Sequence, residues 1–268
     1  MNKHPTIYHA TVHRLNNACL KKDEDSIAEE TPVALVYNGI SHVVLMATPQ
    51  DLAELALGFS LSEGILEKAG ECYDIEVKTG VDGVEVHLEI AAARFAALKE
   101  RRRNISGRTG CGLCDIDSLA AVMPDIAPLE RQNRLDAGEI SQVLQRFDQA
   151  LPLRNQTGAL HAAAWVVEGE IRQVFEDVGR HNALDKLLGY LAKNDVNRAD
   201  GWMLVSSRAS YEMVAKTAKL GIGILVAVSA PTALAVRLAD AANLTLIGFA
   251  RADGQTVYTH PEFLNVKS

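Results

Sequence analysis

The chain has 268 residues, 48% of them hydrophobic, and a formal net charge of −7. That length allows one large domain or two ordinary ones around a sizeable core, while the negative surface excludes general affinity for nucleic acid or anionic membrane and leaves any anionic ligand to a local basic cluster. The longest apolar run, residues 222–228, is far below the roughly 20 residues that span a bilayer. The first residues, MNKHPTIYHATVHRLNNACLKKDEDS, have neither an apolar signal core nor a small-residue cleavage pattern, so the cytoplasm is the expected location.

In residues 1–30 no ordered element is read, and they are expected to form an extension. Residues 31–150 are expected to form a β-rich α+β part and residues 151–268 an α/β part that carries the ligand-binding turns. PVALVYN and SHVVLMA read as a hairpin turning at Asn38 and Gly39, which tolerate positive φ. Thr48 then reads as an N-cap and Pro49 as the first helical residue, with Leu52, Leu55, Ala56 and Phe59 at helical spacing. Two more strands, near 73–78 and 84–90, turn at Asp82 and Gly83. Residues 99–114, KERRRNISGRTGCGLC, hold no period for more than a turn and read as a flexible loop. Asp136 and Glu139 suggest a capping box before a helix bearing Ile140, Val143, Leu144 and Phe147.

From residue 157 strands and helices alternate: strands at 162–167, 171–176, 202–206, 222–228 and 244–249, and helices through Leu184, Leu187, Leu188 and Leu191, at 210–220 and at 231–242. Nearly continuous apolar strands between helices predict an α/β fold on a largely parallel sheet, buried on both faces.

Four cysteines are too few for a disulfide scaffold, and Cys19 and Cys72 stand alone as ordinary thiols. Cys111 and Cys114 form CGLC, close to Arg101, Arg102, Arg103 and Arg108, whose charge favours a thiolate, and to Gly107, Gly110 and Gly112. Half a zinc site, a dithiol redox pair, a sulfur carrier and two plain loop thiols are the competing readings. Zinc lacks a second ligand pair, and a redox CxxC should follow a strand and open a helix; sulfur transfer is favoured, and no metal site is expected.

Residues 206–210 (SSRAS) and 229–232 (SAPT) each end a strand and open a helix, a geometry that suits phosphate, although Ser and Thr also serve as plain caps there. Ser207, Arg208, Ser229 and Thr232 are the candidate contacts. Arg180 and His181 sit between a strand and a helix in EDVGRHN, where a solvated, capped loop is the alternative. Arg251 stands at the carboxyl end of a strand, and His161 alone reads as structural.

Taken together, CGLC in its Arg-rich stretch, TGALHAAA, EDVGRHNALDK, SSRASYEMVAK, VSAPTALAV, FARADGQTVYT and LALGFSLSEGI resemble the formate dehydrogenase accessory sulfurtransferase family, FdhD, from about residue 31 to residue 261. The resemblance implies a cytidine-deaminase-like α/β fold and a homodimer. It implies that Cys111 accepts persulfide sulfur from a cysteine desulfurase and passes it to the molybdenum of a bis-molybdopterin guanine dinucleotide cofactor required by formate dehydrogenase. Cys114 would assist release or act as a backup acceptor. Phe249, Ala250, Arg251, Ala252, Asp253 and Gly254 match the cofactor-binding segment. Asp115 and Ser207 replace glycines usual in the family. A zinc deaminase is rejected, because H-x-E is missing: Ala162 and Ala163 follow His161. The rival of another class is a chaperone that binds the cofactor without carrying sulfur.

Overall fold

The structure, a computed structural model, describes residues 4–106, 126–130 and 133–266. It opens with a hairpin of two ten-residue strands, β1 (Ile7–Asn16) and β2 (Cys19–Ala28). Asn17 and Ala18 make its two-residue turn at φ 47° and 64°, the backbone such hairpins demand. The sequence leaves open whether the extension over residues 1–30 is ordered; the structure places a regular hairpin there. Both faces of the ribbon are largely exposed, so no alternation of apolar and polar residues marks it.

A four-stranded sheet follows, in the order β4-β3-β6-β5: β3 (Thr31–Tyr37), β4 (Ile40–Ala47), β5 (Cys72–Thr79) and β6 (Val84–Ile90). The expected turn is present, with Asn38 at φ 45° and Gly39 at φ 81°. Val33, Leu35, Tyr37, Val86 and Leu88 bury one face against α1 (Leu52–Ser62). That helix begins later than Pro49, after Asp51 in the left-handed region. Thr48 does not cap it; buried, it donates its amide to Asp177 Oδ2 (3.1 Å) and accepts from Val178 N at Oγ1 (3.2 Å).

The Arg-rich stretch also needs correction. Helix α2 (Ala92–Ser106) takes in its first half, built from good helix formers such as Ala, Leu, Lys, Glu and Arg. Among its described side chains only Leu98 enters the core fully, so no apolar stripe announces it. After a two-residue β7 (Leu135–Asp136), Asp136 caps α3 (Ala137–Phe147) by accepting from Gly138 N at 2.8 Å. A short α4 (Pro152–Thr157) follows.

The second half of the chain builds the main sheet from β8 (His161–Val167), β9 (Glu170–Asp177), β10 (Trp202–Val205), β11 (Ile224–Ala227), β12 (Thr245–Arg251) and β13 (Gly254–Val257), and β14 (Leu264–Asn265) pairs with β7. Its order is β13-β12-β11-β10-β8-β9. The α/β class holds, but the sheet is mixed rather than largely parallel. The β10–β11 and β11–β12 pairings are parallel, and the antiparallel hairpins β8–β9 and β12–β13 flank them. Strand direction leaves no mark on hydropathy once both faces are buried.

Met203, Val205, Leu225 and Leu246 pack on α5 (Arg180–Lys193), α6 (Tyr211–Lys219) and α7 (Ala233–Ala241). Trp202, Leu204, Val226 and Ile247 pack on α3. Helix α1 crosses α5 backbone to backbone: a Cβ on Gly58 would lie 1.7 Å from Asp185 O, and one on Gly189 2.0 Å from Glu54 O. That contact seats the N-terminal sheet and its helix on the main sheet.

Candidate functional site

Three of the motifs form one row at the carboxyl ends of the parallel strands. Val228 N donates to Val205 O (2.9 Å), Ala209 N to Ala230 O (3.3 Å), Thr232 N to Ala209 O (3.0 Å) and Phe249 N to Ser229 O (3.2 Å). The turn after β10, the turn after β11 and the end of β12 are thus bonded side by side. Gly248 keeps the last two close, since a Cβ there would stand 2.7 Å from Pro231 Cδ. On the other flank Ser206 fixes β10 to β8, its amide donating to Ala162 O (3.0 Å) and its Oγ accepting from Ala162 N (2.9 Å).

Within this row the expected contacts divide. Ser207 is buried and donates its hydroxyl to Arg208 O (3.0 Å), while Arg208 is exposed. Ser210 stands at the N-cap of α6 with its Oγ buried and without a hydrogen-bond partner among the described residues. Thr232 caps α7, accepting from Ala235 N at 3.2 Å, so the capping reading is correct for its hydroxyl. Ser229 is half-buried and Ala250 is core. Phe249 is 49% exposed at φ 50°, a strained conformation for a bulky side chain. Arg251 donates from Nη1 to Val228 O and, at 2.9 Å, to Ala250 O. Ala252, Asp253 and Gly254 are exposed, and Gly254 pairs with Arg251 across β12 and β13.

Arg180 and His181 begin α5, away from these three turns in sequence. The Arg180 Nε is buried without a partner among the described residues, and His181 Nε2 lies 2.8 Å from Glu212 Oε2 on α6. Burial holds the His181 imidazole below its ordinary pKa, against the pull of Glu212. His161 is also held low, by burial and by Arg180 and Arg154. Other polar residues of EDVGRHNALDK hold the fold together. Asp177 and Lys186, both 0% exposed, pair at 2.7 Å; Asp177 Oδ1 also accepts from Gly179 N (2.8 Å) and Asn182 Nδ2 (3.0 Å). Glu176 accepts from Leu153 N (3.1 Å) and Arg154 N (2.7 Å) at the start of α4.

A second polar cluster escaped the sequence reading. Lys216 of α6 meets Asp185 of α5 (2.8 Å), Ser62 Oγ at the end of α1 (3.0 Å) and Glu63 just beyond it (3.0 Å). Burial pushes the Asp185 carboxyl up, against Lys216; against the effect of burial, Asp185 and Glu63 hold Lys216 above its ordinary value. The sequence signal is faint: Asp185 stands beside the leucine face of α5, where an ordinary flanking carboxylate would also stand.

Cys111 and Cys114, with Arg102, Arg103 and Arg108, lie outside the described residues and side chains; Arg101 is described, donating from Nη1 to Glu63 O at 3.2 Å. Of the cysteines within the described residues, Cys19 is exposed and Cys72 half-buried, its thiol pushed up to about 11 by burial. Among the described residues no three His, Cys, Asp or Glu gather as a metal site, and no helix is long and apolar enough to cross a membrane.

Fold and site together define an α/β protein that presents bonded loops at the carboxyl ends of a short parallel strand set. The chain matches the model of the FdhD/NarQ family over residues 28–265. It is 54% identical over an alignment of 265 residues, which covers 97% of this chain and 91% of the relative, to the sulfur carrier protein FdhD of Cupriavidus necator. A crystal structure from Desulfotalea psychrophila, of a protein provisionally assigned as a formate dehydrogenase accessory protein, shares the fold: TM-score 0.78 at 24% identity, covering 97% of this chain and 100% of that one. The chain belongs to the FdhD/NarQ family.

Proposed function

We propose that the chain is a cytoplasmic sulfur carrier that formate dehydrogenase requires for activity. It takes persulfide sulfur from a cysteine desulfurase onto Cys111 and passes it to a bis-molybdopterin guanine dinucleotide molybdenum cofactor, its substrate. The observation that carries this reading is the 54% identity to a sulfur carrier protein, joined to CGLC in an Arg-rich stretch. Of the remaining cysteines, Cys72 competes poorly, its thiol pushed up to about 11 by burial and so away from the thiolate form.

In the first step the Cys111 thiolate attacks the outer sulfur of the donor persulfide. The donor S–S bond breaks, its cysteine leaves as thiolate, and Cys111 holds the new persulfide. In the second, Cys114 attacks Cys111 Sγ; the terminal sulfur leaves as hydrosulfide with the electron pair, and the two cysteines become a disulfide that a thiol reductant reopens. If Cys114 serves only as a second acceptor, no such disulfide forms.

The strand-end row suits the phosphates of the cofactor. It offers the N-termini of α6 and α7, the Ser210 hydroxyl and the exposed Arg208 guanidinium. Phe249 offers an exposed ring to a flat heterocycle. Arg251, Asp253 and Gly254 border it, and Arg180 and His181 add a cation and a third helix N-terminus, that of α5. The hydroxyls of Ser207 and Thr232 are already engaged, so those turns act through backbone amides. The bound cofactor supplies the metal that receives the sulfur.

A chaperone needs this row but no thiol. Cys111→Ala is therefore expected to bind guanosine diphosphate like wild type yet leave formate dehydrogenase inactive. Full activation by Cys111→Ala would replace the carrier by the chaperone.

A further inference from the structure

Three helices meet at Lys216. Its ammonium reaches Ser62 Oγ (3.0 Å) and Glu63 Oε1 (3.0 Å) at the end of α1, and Asp185 Oδ2 (2.8 Å) on α5. Ser62 Oγ donates in turn to Asp185 Oδ1 at 2.8 Å. The three N–H donors thus have three oxygens. Buried charges of this kind are a poor way to add stability, because well-packed apolar side chains hold helices together as well or better. What they impose is register: only one placement of the α1 end satisfies all four groups.

That register has a consequence at both ends. One turn along α6, Lys219 donates to Ser62 O (2.9 Å), and Arg101 of α2 donates to Glu63 O (3.2 Å). Helix α2 is the element from which the chain enters residues 107–125, and so reaches Cys111. One turn the other way, His181 and Glu212 pair at the first turns of α5 and α6, and α6 opens directly from the strand-end row. The Lys216 cluster therefore links the row to the seat of α2. The Gly58–Gly189 crossing leaves little play between α1 and α5.

We propose that Lys216 is a positioning residue for sulfur delivery: by gathering Ser62, Glu63 and Asp185 it fixes the seat on which Arg101 holds α2, and with it the starting point of the Cys111 segment relative to the cofactor row. This rests on the carrier reading above.

The test uses the full chain with Lys216→Met, Lys216→Arg, Arg101→Gln and the Lys216→Met/Arg101→Gln double variant. Persulfide on Cys111 is measured by mass spectrometry after incubation with a cysteine desulfurase and cysteine; activation of formate dehydrogenase and the melting temperature are followed in parallel. Lys216→Met is expected to load Cys111 like wild type but activate its client about tenfold or more slowly, as a misplaced reacting group does. Lys216→Arg restores most of the rate. Arg101→Gln is slow as well, and Lys216→Met adds little to it, because both act through one seat. Wild-type activation by a folded Lys216→Met, full additivity of the two changes, or no rescue by Lys216→Arg overturns the proposal. Should Lys216→Met unfold, Arg101→Gln decides, since Arg101 is exposed: wild-type activation by it overturns the proposal. A wild-type chain that takes no sulfur on Cys111 instead overturns the carrier reading.

Discussion

Arg208 and Arg251 share the strand-end row but stand in it differently. Arg208 is exposed and has no ion pair among the described residues, whereas Arg251 is spent partly on Val228 O and Ala250 O. Removing Arg208 should therefore cost only its own contact with phosphate. Arg208→Ala is expected to weaken guanosine diphosphate binding by about 1–3 kcal/mol, the worth of one charge-assisted hydrogen-bond partner, with the melting temperature unchanged; calorimetry that finds no difference removes Arg208 from the site. His161 gives a prediction in pH. Burial, with Arg180 and Arg154, holds its imidazole below the ordinary 6.5. The unfolded chain then binds this proton more readily, so the contribution of His161 to stability is full above about pH 6.5 and is lost as pH falls toward the lower folded pKa. In urea melts from about pH 7 down to pH 5, His161→Gln should lose less stability than wild type; parallel curves would show that His161 titrates alike in both states. At this scale the motifs were legible as places but not as roles. EDVGRHNALDK looked like a ligand loop, yet Asp177, Asn182 and Lys186 are buried partners of one another and of β4; a charge pattern along a chain does not reveal which charges fold inward against each other.

Among the elements, the Gly58–Gly189 crossing is the tightest joint. A methyl on Gly58 would overlap Asp185 O at 1.7 Å, and a backbone carbonyl cannot swing aside as a flexible side chain can. Gly58→Ala is expected to destabilise the chain by about 3 kcal/mol or more, whereas Gly39→Ala, in open space at φ 81°, should cost about 1 kcal/mol. Equal chemical denaturation midpoints for the two would show that α1 and α5 can move apart. The elements that sequence reading located well either bury one clear face, as β6 and α3 do, or are apolar and buried throughout, as β10 and β11 are. It missed β1 and β2, exposed on both sides, and α2, whose stripe is too thin to register. It also started α1 too early, because Thr48 and Pro49 form a credible cap in sequence while Thr48 is held by Asp177, 129 residues away. Long-range partners of that kind leave no local trace.

Over the whole molecule, the class of fold was readable from alternating apolar strands and helices, whereas strand direction was not, since β8 is as apolar as the parallel strands beside it and only the polar residues of β9 mark an edge. The result is a row of turns built by elements far apart in sequence and stitched by main-chain bonds from Val205 to Phe249. Under the proposed function, Cys111 carries sulfur to whatever that row binds. Mass spectrometry of the intact protein, after incubation with a cysteine desulfurase and cysteine, tests it most directly. The expected result is a gain of one sulfur atom that maps to Cys111, is removed by a thiol reductant, persists in Cys114→Ala and is absent in Cys111→Ala. Sulfur found on another residue, or retained by Cys111→Ala, would contradict it.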